Sequence, residues 1–164
     1  MDLQRDYGQN LDLFCFAGEM RQVFANLIGN ALDAMTPDGG RLLVRARRVK
    51  QHQTPGIRVT VADTGCGITT EARRHIFEPF FTTKEATGTG LGLWVSEQII
   101  RKHHGAVRVR SRSQGSATGT VFSVCFPATG LEADAEGADA SPGAAPETPR
   151  EEPTLSPSEF SPAE

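Results

Sequence analysis

Three groups of residues in this chain have the types and spacings to do chemistry. One is a carboxylate opening a glycine turn, Asp63, Gly65 and Gly67 within DTGCGI, with Ile68 closing it. Another is a glycine loop, GTGLGL, in which Gly88, Thr89, Gly90, Leu91 and Gly92 run into a helix-like stretch. The third is a polar stripe at steps of three and four: Gln22, Asn26, Gly29, Asn30 and Asp33. Between the two glycine groups lies an aromatic loop, Phe77, Phe80 and Phe81 around Pro79, with Lys84 at its far end. In chain order, the two glycine groups and the loop between them suit a purine contact, a mobile cover and a phosphate-binding helix start.

A carboxylate at the end of a strand can accept a hydrogen bond from the exocyclic amine of adenine. Guanine puts a carbonyl oxygen at that edge, and leaving the contact unmade costs ~1–3 kcal/mol, enough to select ATP over GTP. Gly65 and Gly67 permit positive φ and bring the backbone close to the base. GTGLGL is not a Walker loop, because no GK[ST] follows. Its GxGxG spacing, with no strand before it, does not fit a dinucleotide fingerprint either. What remains is a loop feeding a helix start, whose free N–H groups and partial positive charge favour phosphate oxygens. Asn26 and Asn30, one turn apart, can present amide oxygens to one hard cation, and Mg²⁺ takes oxygen ligands while keeping several waters. Gly29 costs its helix about 1 kcal/mol relative to Ala, a cost that a close backbone approach would offset. Lys84 could reach the phosphates as a point charge. Each signal also has a plainer reading: a tight turn, a solvated polar face, a satellite core of phenylalanines. His52, His75, His103 and His104 suggest neither an acid/base pair nor a metal site.

These residues need elements to position them. Apolar residues at Met20, Val23, Phe24, Leu27, Ile28, Ala31, Leu32 and Met35 predict an amphipathic helix over Glu19–Met35, ended by the TPDGG turn. A short strand is expected at Leu11–Phe16, and further strands at Arg41–Val49, Ile57–Ala62, Val107–Arg112 and Thr120–Phe126. TTEARRHI reads as a short helix with Thr69 or Thr70 as N-cap. Leu91–His104 reads as a second long helix stopped at Gly105. Helices punctuating strands whose neighbours can pair antiparallel give an α/β (α+β) two-layer sandwich.

Nine acidic residues and one basic residue, Arg150, lie beyond Gly130, which leaves 16 basic against 11 acidic before it. A mildly basic body suits a nucleotide, but the bias does not support nucleic-acid binding, and the arginines of Arg41–Lys50 read most simply as a solvated strand face. Three scattered cysteines, with no CxxC pair, argue for a reducing compartment and against a disulfide framework or zinc site. No apolar run approaches the ~18 residues of a membrane span, and the start has no signal-peptide core. The expectation is a cytoplasmic piece without membrane contact, whose parent could be membrane-anchored. Residues 1–127 are expected to fold, and residues 128–164, rich in Pro, Ala and Glu, to form a disordered acidic tail.

Together and in this order, NLIGNALDAM, DTGCGI, FEPFFTTK and GTGLGL resemble the N, G1, F and G2 boxes of the sensor histidine kinase ATP-binding domain. That domain belongs to the gyrase, chaperone, histidine kinase and mismatch-repair ATPase superfamily. The resemblance covers Leu11–Pro127 and implies a Bergerat-type mixed sheet with helices packed on one face and an ATP lid. It implies ATP and Mg²⁺ as ligands, with Asn30 on the metal and Asn26 assisting. It also implies Asp63 on adenine, Thr120 supporting that contact through water, and Gly88–Gly92 around the phosphates, with Asp33, Ile68 and Lys84 nearby. The gyrase-like and chaperone-like branches have a water-activating Glu where this chain has Asn26, so hydrolysis should be poor. No histidine precedes Asn26. The implied activity is therefore transfer of the γ-phosphoryl group to a histidine on a separate dimerisation domain, and from there to a response regulator. A stand-alone serine kinase of the anti-sigma-factor type and a non-catalytic nucleotide-sensing module are the alternatives.

Overall fold

The structure, a computed structural model, describes residues 1–51, 54–84, 88–115 and 117–128. Helix α1 (Ala17–Ala34) forms where the apolar stripe predicted it, burying Met20, Val23, Leu27 and Ala31. Strands β2 (Arg41–Gln51) and β3 (Thr54–Asp63) pair antiparallel from Leu42↔Asp63 to Gln51↔Thr54. Helix α2 (Thr70–His75) is capped by Thr69, whose hydroxyl accepts the Ala72 N–H at 3.1 Å. Helix α3 (Gly92–Lys102) leads to β4 (Ala106–Arg112) and β5 (Gly119–Pro127), which pair antiparallel with each other, and β5 also pairs antiparallel with β3.

An additional strand, β1 (Asp2–Tyr7), lies parallel to β2 and completes a five-stranded sheet in the order β1-β2-β3-β5-β4. The strand expected at Leu11–Phe16 does not form. Its alternation is nonetheless physical: Leu11, Leu13 and Cys15 are partly buried while Asp12, Phe14 and Phe16 are exposed. Leu13 and Cys15 pack on the core without sheet pairing. The β1 strand carried no period-two signal because almost all its residues are exposed, and what holds it is the ladder to β2.

Period-two burial in β5, where Thr120, Phe122, Val124 and Phe126 are buried, turns one sheet face toward the helices. Phe122, Val124 and Phe126 join Val23, Leu27, Ile99 and Ile100 in one core cluster. The result is the mixed sheet with helices on one face that the sequence implied. Among the described residues, no helix is long and apolar enough to cross a membrane. The tail assigned to residues 128–164 lies, from 129 onward, outside the described residues.

Two local expectations change. Gly105 does not adopt the left-handed turn after α3; His104 does, at φ 55°, while a Cβ on Gly105 would meet the Phe126 ring at 2.8 Å. His103, read from sequence as an ordinary helix-end residue, is 1% exposed. Its Nδ1–H donates to the Ile99 carbonyl at 2.9 Å and its Nε2 accepts the Phe16 N–H at 3.2 Å, which pins the start of α1 to the end of α3.

Leu27, 1% exposed at the helix–sheet junction, should cost about 2–5 kcal/mol when cut to Ala, measured by urea unfolding. By contrast, nothing lies within 4 Å of the place a Cβ would take on Gly29. No close approach offsets this glycine, so Gly29→Ala should stabilise the fold by roughly 1 kcal/mol in the same experiment.

Candidate functional site

Asp63 is the last residue of β3 and only 8% exposed. Its Oδ1 accepts two backbone N–H groups, Gly65 at 2.9 Å and Thr120 at 3.2 Å. No described residue bonds Oδ2, and Asp63 lines a cavity of about 740 Å³. Burial pushes its carboxyl above the usual carboxylate range, while the two N–H donors pull it back. The turn that follows is drawn tightly against α1: the Cys66 N–H donates to the Ala34 carbonyl at 2.9 Å, and a Cβ on Gly65 would strike that carbonyl. Here glycine is required by close approach.

The cavity sits between α1, the end of β3 and β5, and the segment before α3. From α1, Asn30 and Asp33 line it; from the sheet and its turn, Asp63, Gly67, Ile68 and Thr120 do. Lys84, Gly88, Thr89, Gly90 and Gly92 form the opposite side. Three expected site residues lie off the lining: Asn26, Gly65 and Leu91. Gly65 and Leu91 shape backbone at the rim.

Asn26 braces the two long helices. Its amide N–H₂ donates to the Gly92 carbonyl at 3.0 Å and to Ser96 Oγ at 3.1 Å, and Ser96 Oγ donates to the same carbonyl at 2.8 Å. The side chain of Asn26 therefore fixes where α3 begins. Helix α3 has no side-chain cap. Its leading N–H groups are left for an outside acceptor.

Asn30 is the amide that faces a cation. Its Oδ1 accepts from the Lys84 ammonium at 3.0 Å, and the same ammonium donates to Asp33 Oδ2 at 2.5 Å. An oxygen pair that holds one positive charge fits a divalent metal in chemistry. Among the described residues no group of three or more His, Cys, Asp or Glu could hold a metal. Any ion at Asn30 would thus need most of its oxygens from a bound ligand.

The aromatic loop divides. Phe77 and Phe81 pack on the core, and Phe81 also lines the cavity. Phe80 is 75% exposed with φ 67°, its backbone pressed against Gly90, which is left-handed at φ 67°. A lid hinged near Gly88 would include residues 85–87, which lie outside the described residues. Sequence reasoning missed Ala31, Ala34, Ile76, Leu93 and Phe122 as lining residues. Helical and strand periodicity assigned most of them to the core, and periodicity has no signal for where a core opens. It also passed over His75, whose Nδ1 lies 2.9 Å from Glu78 Oε1 on the surface, away from the cavity lining.

Residues 17–130 match the family described as histidine kinase-, DNA gyrase B-, and HSP90-like ATPase. The chain belongs to that ATPase family. Sporulation kinase E of Bacillus subtilis is 38% identical over 115 residues, 70% of this chain but 14% of that kinase. The chain therefore spans about a seventh of that relative's length. Among solved structures, the catalytic domain of histidine kinase ThkA superimposes with a TM-score of 0.63 at 30% identity, over 77% of this chain and 80% of that one. Full-length ShkA, solved in complex with AMPPNP, superimposes with a TM-score of 0.58 at 29% identity, over 76% of this chain and 25% of that one. Within that family, the chain is similar to the catalytic domains of histidine kinases.

Asp63→Asn tests the buried carboxylate. The substitution keeps an oxygen for the Gly65 and Thr120 N–H groups and removes the ionisation. Because the folded carboxyl is raised, its contribution to stability is full below the unfolded pKa and is lost as pH rises through the folded one. Thermal melts between about pH 4 and pH 7 should therefore find Asp63→Asn gaining on the wild type as pH rises. A difference independent of pH would remove the desolvation argument.

Proposed function

We propose that the chain binds Mg·ATP in this cavity and donates the γ-phosphoryl group to a histidine on a separate dimerisation domain of the same parent protein, for relay to a response regulator. The observation that carries this reading is the Asp63 carboxylate on the cavity lining, with Oδ1 held by two backbone N–H groups and Oδ2 bonded by no described residue. Oδ2 accepts the adenine amine, which a guanine carbonyl could not offer. Gly65 and Gly67 shape that pocket, Thr120 supports the contact through water, and Ile68 gives an apolar edge to the base.

The triphosphate runs toward the uncapped start of α3, with the Gly88–Gly92 backbone around it. When bound, Mg²⁺ would supply charge neutralisation to the triphosphate. Asn30 Oδ1 would be the protein's ligand to that ion, with Asp33 beside it and Asn26 assisting by holding α3 in position. Lys84, on giving up Asn30 and Asp33, supplies a point charge to the phosphates. Asn26 cannot accept a proton from water, and its N–H₂ group is committed to α3. Transfer therefore rests on positioning and charge stabilisation and does not use a protein base. The setting is cytoplasmic, with no nucleic acid and no membrane contact by this segment. Residues 1–127 are the working domain and residues 128–164 an appendage.

Calorimetry of the full chain should give Mg·ATP binding that Asp63→Ala weakens by ~1–3 kcal/mol, roughly 5- to 150-fold; wild-type affinity in that variant refutes the adenine contact. Asn30→Ala should abolish the Mg²⁺ dependence of binding, and an unchanged metal titration refutes its role. With labelled ATP, acid-labile label on an added histidine hairpin supports the histidine kinase. Acid-stable phosphoserine would instead indicate the serine kinase, and tight binding with no labelled acceptor a sensing module.

A further inference from the structure

Three hydrogen-bonding groups converge on the Ser111 hydroxyl. Ser111 lies on β4 opposite Thr120 on β5; Thr120 is on the cavity lining and Ser111 is not. The glycine turn comes close to this end of β4, because a Cβ on Gly67 would strike the Arg112 carbonyl. Ser111 Oγ accepts the Ile68 N–H at 2.7 Å, donates to the Gly119 carbonyl at 2.9 Å and lies 3.0 Å from Thr120 Oγ1. A backbone N–H can only donate, a carbonyl oxygen can only accept, and a hydroxyl has one proton and two lone pairs. The single Ser111 proton therefore goes to Gly119, and one lone pair takes the Ile68 N–H. The other lone pair is left for Thr120. All three contacts are made together in one arrangement only, in which Thr120 Oγ1–H donates to Ser111 Oγ.

The other donor of Thr120 is committed as well, since its backbone N–H goes to Asp63 Oδ1 at 3.2 Å. Thr120 is 3% exposed. With both its protons held inside the protein, any further hydrogen bond of its hydroxyl, to a ligand or to a bridging water, is accepted and not donated. An ionised carboxylate also only accepts, and Asp63 pairs with Thr120 across the β3–β5 ladder. These two lining residues therefore present lone pairs and no protons. The polarity of Asp63 is set by its own chemistry, whereas that of Thr120 is set by a neighbour. Without Ser111 the Thr120 hydroxyl would be free to turn its proton toward a carbonyl oxygen as readily as to accept from an amine.

We infer that Ser111 is a positioning residue: by taking the Thr120 hydroxyl proton it makes Thr120 an acceptor-only group, and so sharpens the choice of a purine edge that brings protons over one that brings a carbonyl oxygen. The selection rests on the reading of the cavity as an adenine site and deepens it, while the order of protons around Ser111 holds in the free protein whatever binds. Ser111 acts through Thr120 and does not itself touch the ligand.

The test has two arms, both on the full chain. In ligand-free wild type, proton NMR should show a slowly exchanging Thr120 hydroxyl proton with a cross-peak to Ser111. Ser111→Ala should lose that signal and Ser111→Thr should keep it. Calorimetry with ATP and with inosine triphosphate, which carries a carbonyl oxygen in place of the adenine amine, reads the selection. Ser111→Ala should lower the ATP-to-inosine-triphosphate affinity ratio by about 10-fold, and Ser111→Thr should keep the wild-type ratio. A merely structural role would weaken both nucleotides alike and leave the ratio in place. In a Thr120→Val background, Ser111→Ala should no longer move the ratio, because the hydroxyl through which it acts is gone. A Thr120 hydroxyl that exchanges rapidly in wild type overturns the inference without any variant having to fold. An unchanged ratio in Ser111→Ala overturns it too, as does an equal fall in the Thr120→Val background. Wild type that binds neither nucleotide would overturn the adenine reading and with it the role in selection, and hydroxyl exchange alone would then decide the proton order.

Discussion

One carboxylate oxygen, Oδ1 of Asp63, receives N–H groups from two directions: Gly65, two residues onward, and Thr120, which pairs with Asp63 across the β3–β5 ladder. This contact joins the sheet to the glycine turn, and the turn in turn rests on the Ala34 carbonyl at the end of α1. Burying a carboxylate carries a desolvation cost, and the two charge-assisted bonds offset part of it. Oδ2 is bonded by no described residue, and Asp63 lines the cavity. One side chain therefore both ties three elements together and lines the cavity, so the cavity's polar end cannot be altered without loosening that junction.

The opposite wall depends on a second brace. Asn26 and Ser96 converge on the Gly92 carbonyl, which sets α3 against α1, with Gly92 and Leu93 of its uncapped first turn on the cavity lining. Lys84 meanwhile bridges Asn30 and Asp33 across the gap. A cation at Asn30 and the Lys84 ammonium want the same oxygen. As long as Lys84 holds that place, the carboxylate and the amide both have a positively charged partner.

Much of the architecture was legible because the relevant signals are local. Thr69 caps α2 through its own hydroxyl, the apolar stripe of α1 follows helical period, and β5 alternates without a fault. The failures have identifiable causes. Residues 11–16 alternate in burial but do not pair, because alternation records burial and is blind to hydrogen-bond partners. Strand β1, exposed on both faces, gave no pattern and is held by a partner 39 residues away in sequence. At the site, residue types and spacing nominated the polar groups. Ala31, Ile76 and Phe122 escaped notice because an apolar wall of a cavity and a packed core read alike.

By itself the chain's order of residues determined the family and the mixed two-layer class and nominated most of the polar groups that line the cavity, since these rest on motifs and periods within short stretches. Only the tertiary structure decided which oxygen of Asp63 the backbone holds, that Asn26 serves the helix junction while Asn30 meets the Lys84 ammonium, and that seven arginines from three strands share one face. Those facts depend on distances between residues far apart in sequence. Such distances are set by packing and strand register, which no local pattern encodes.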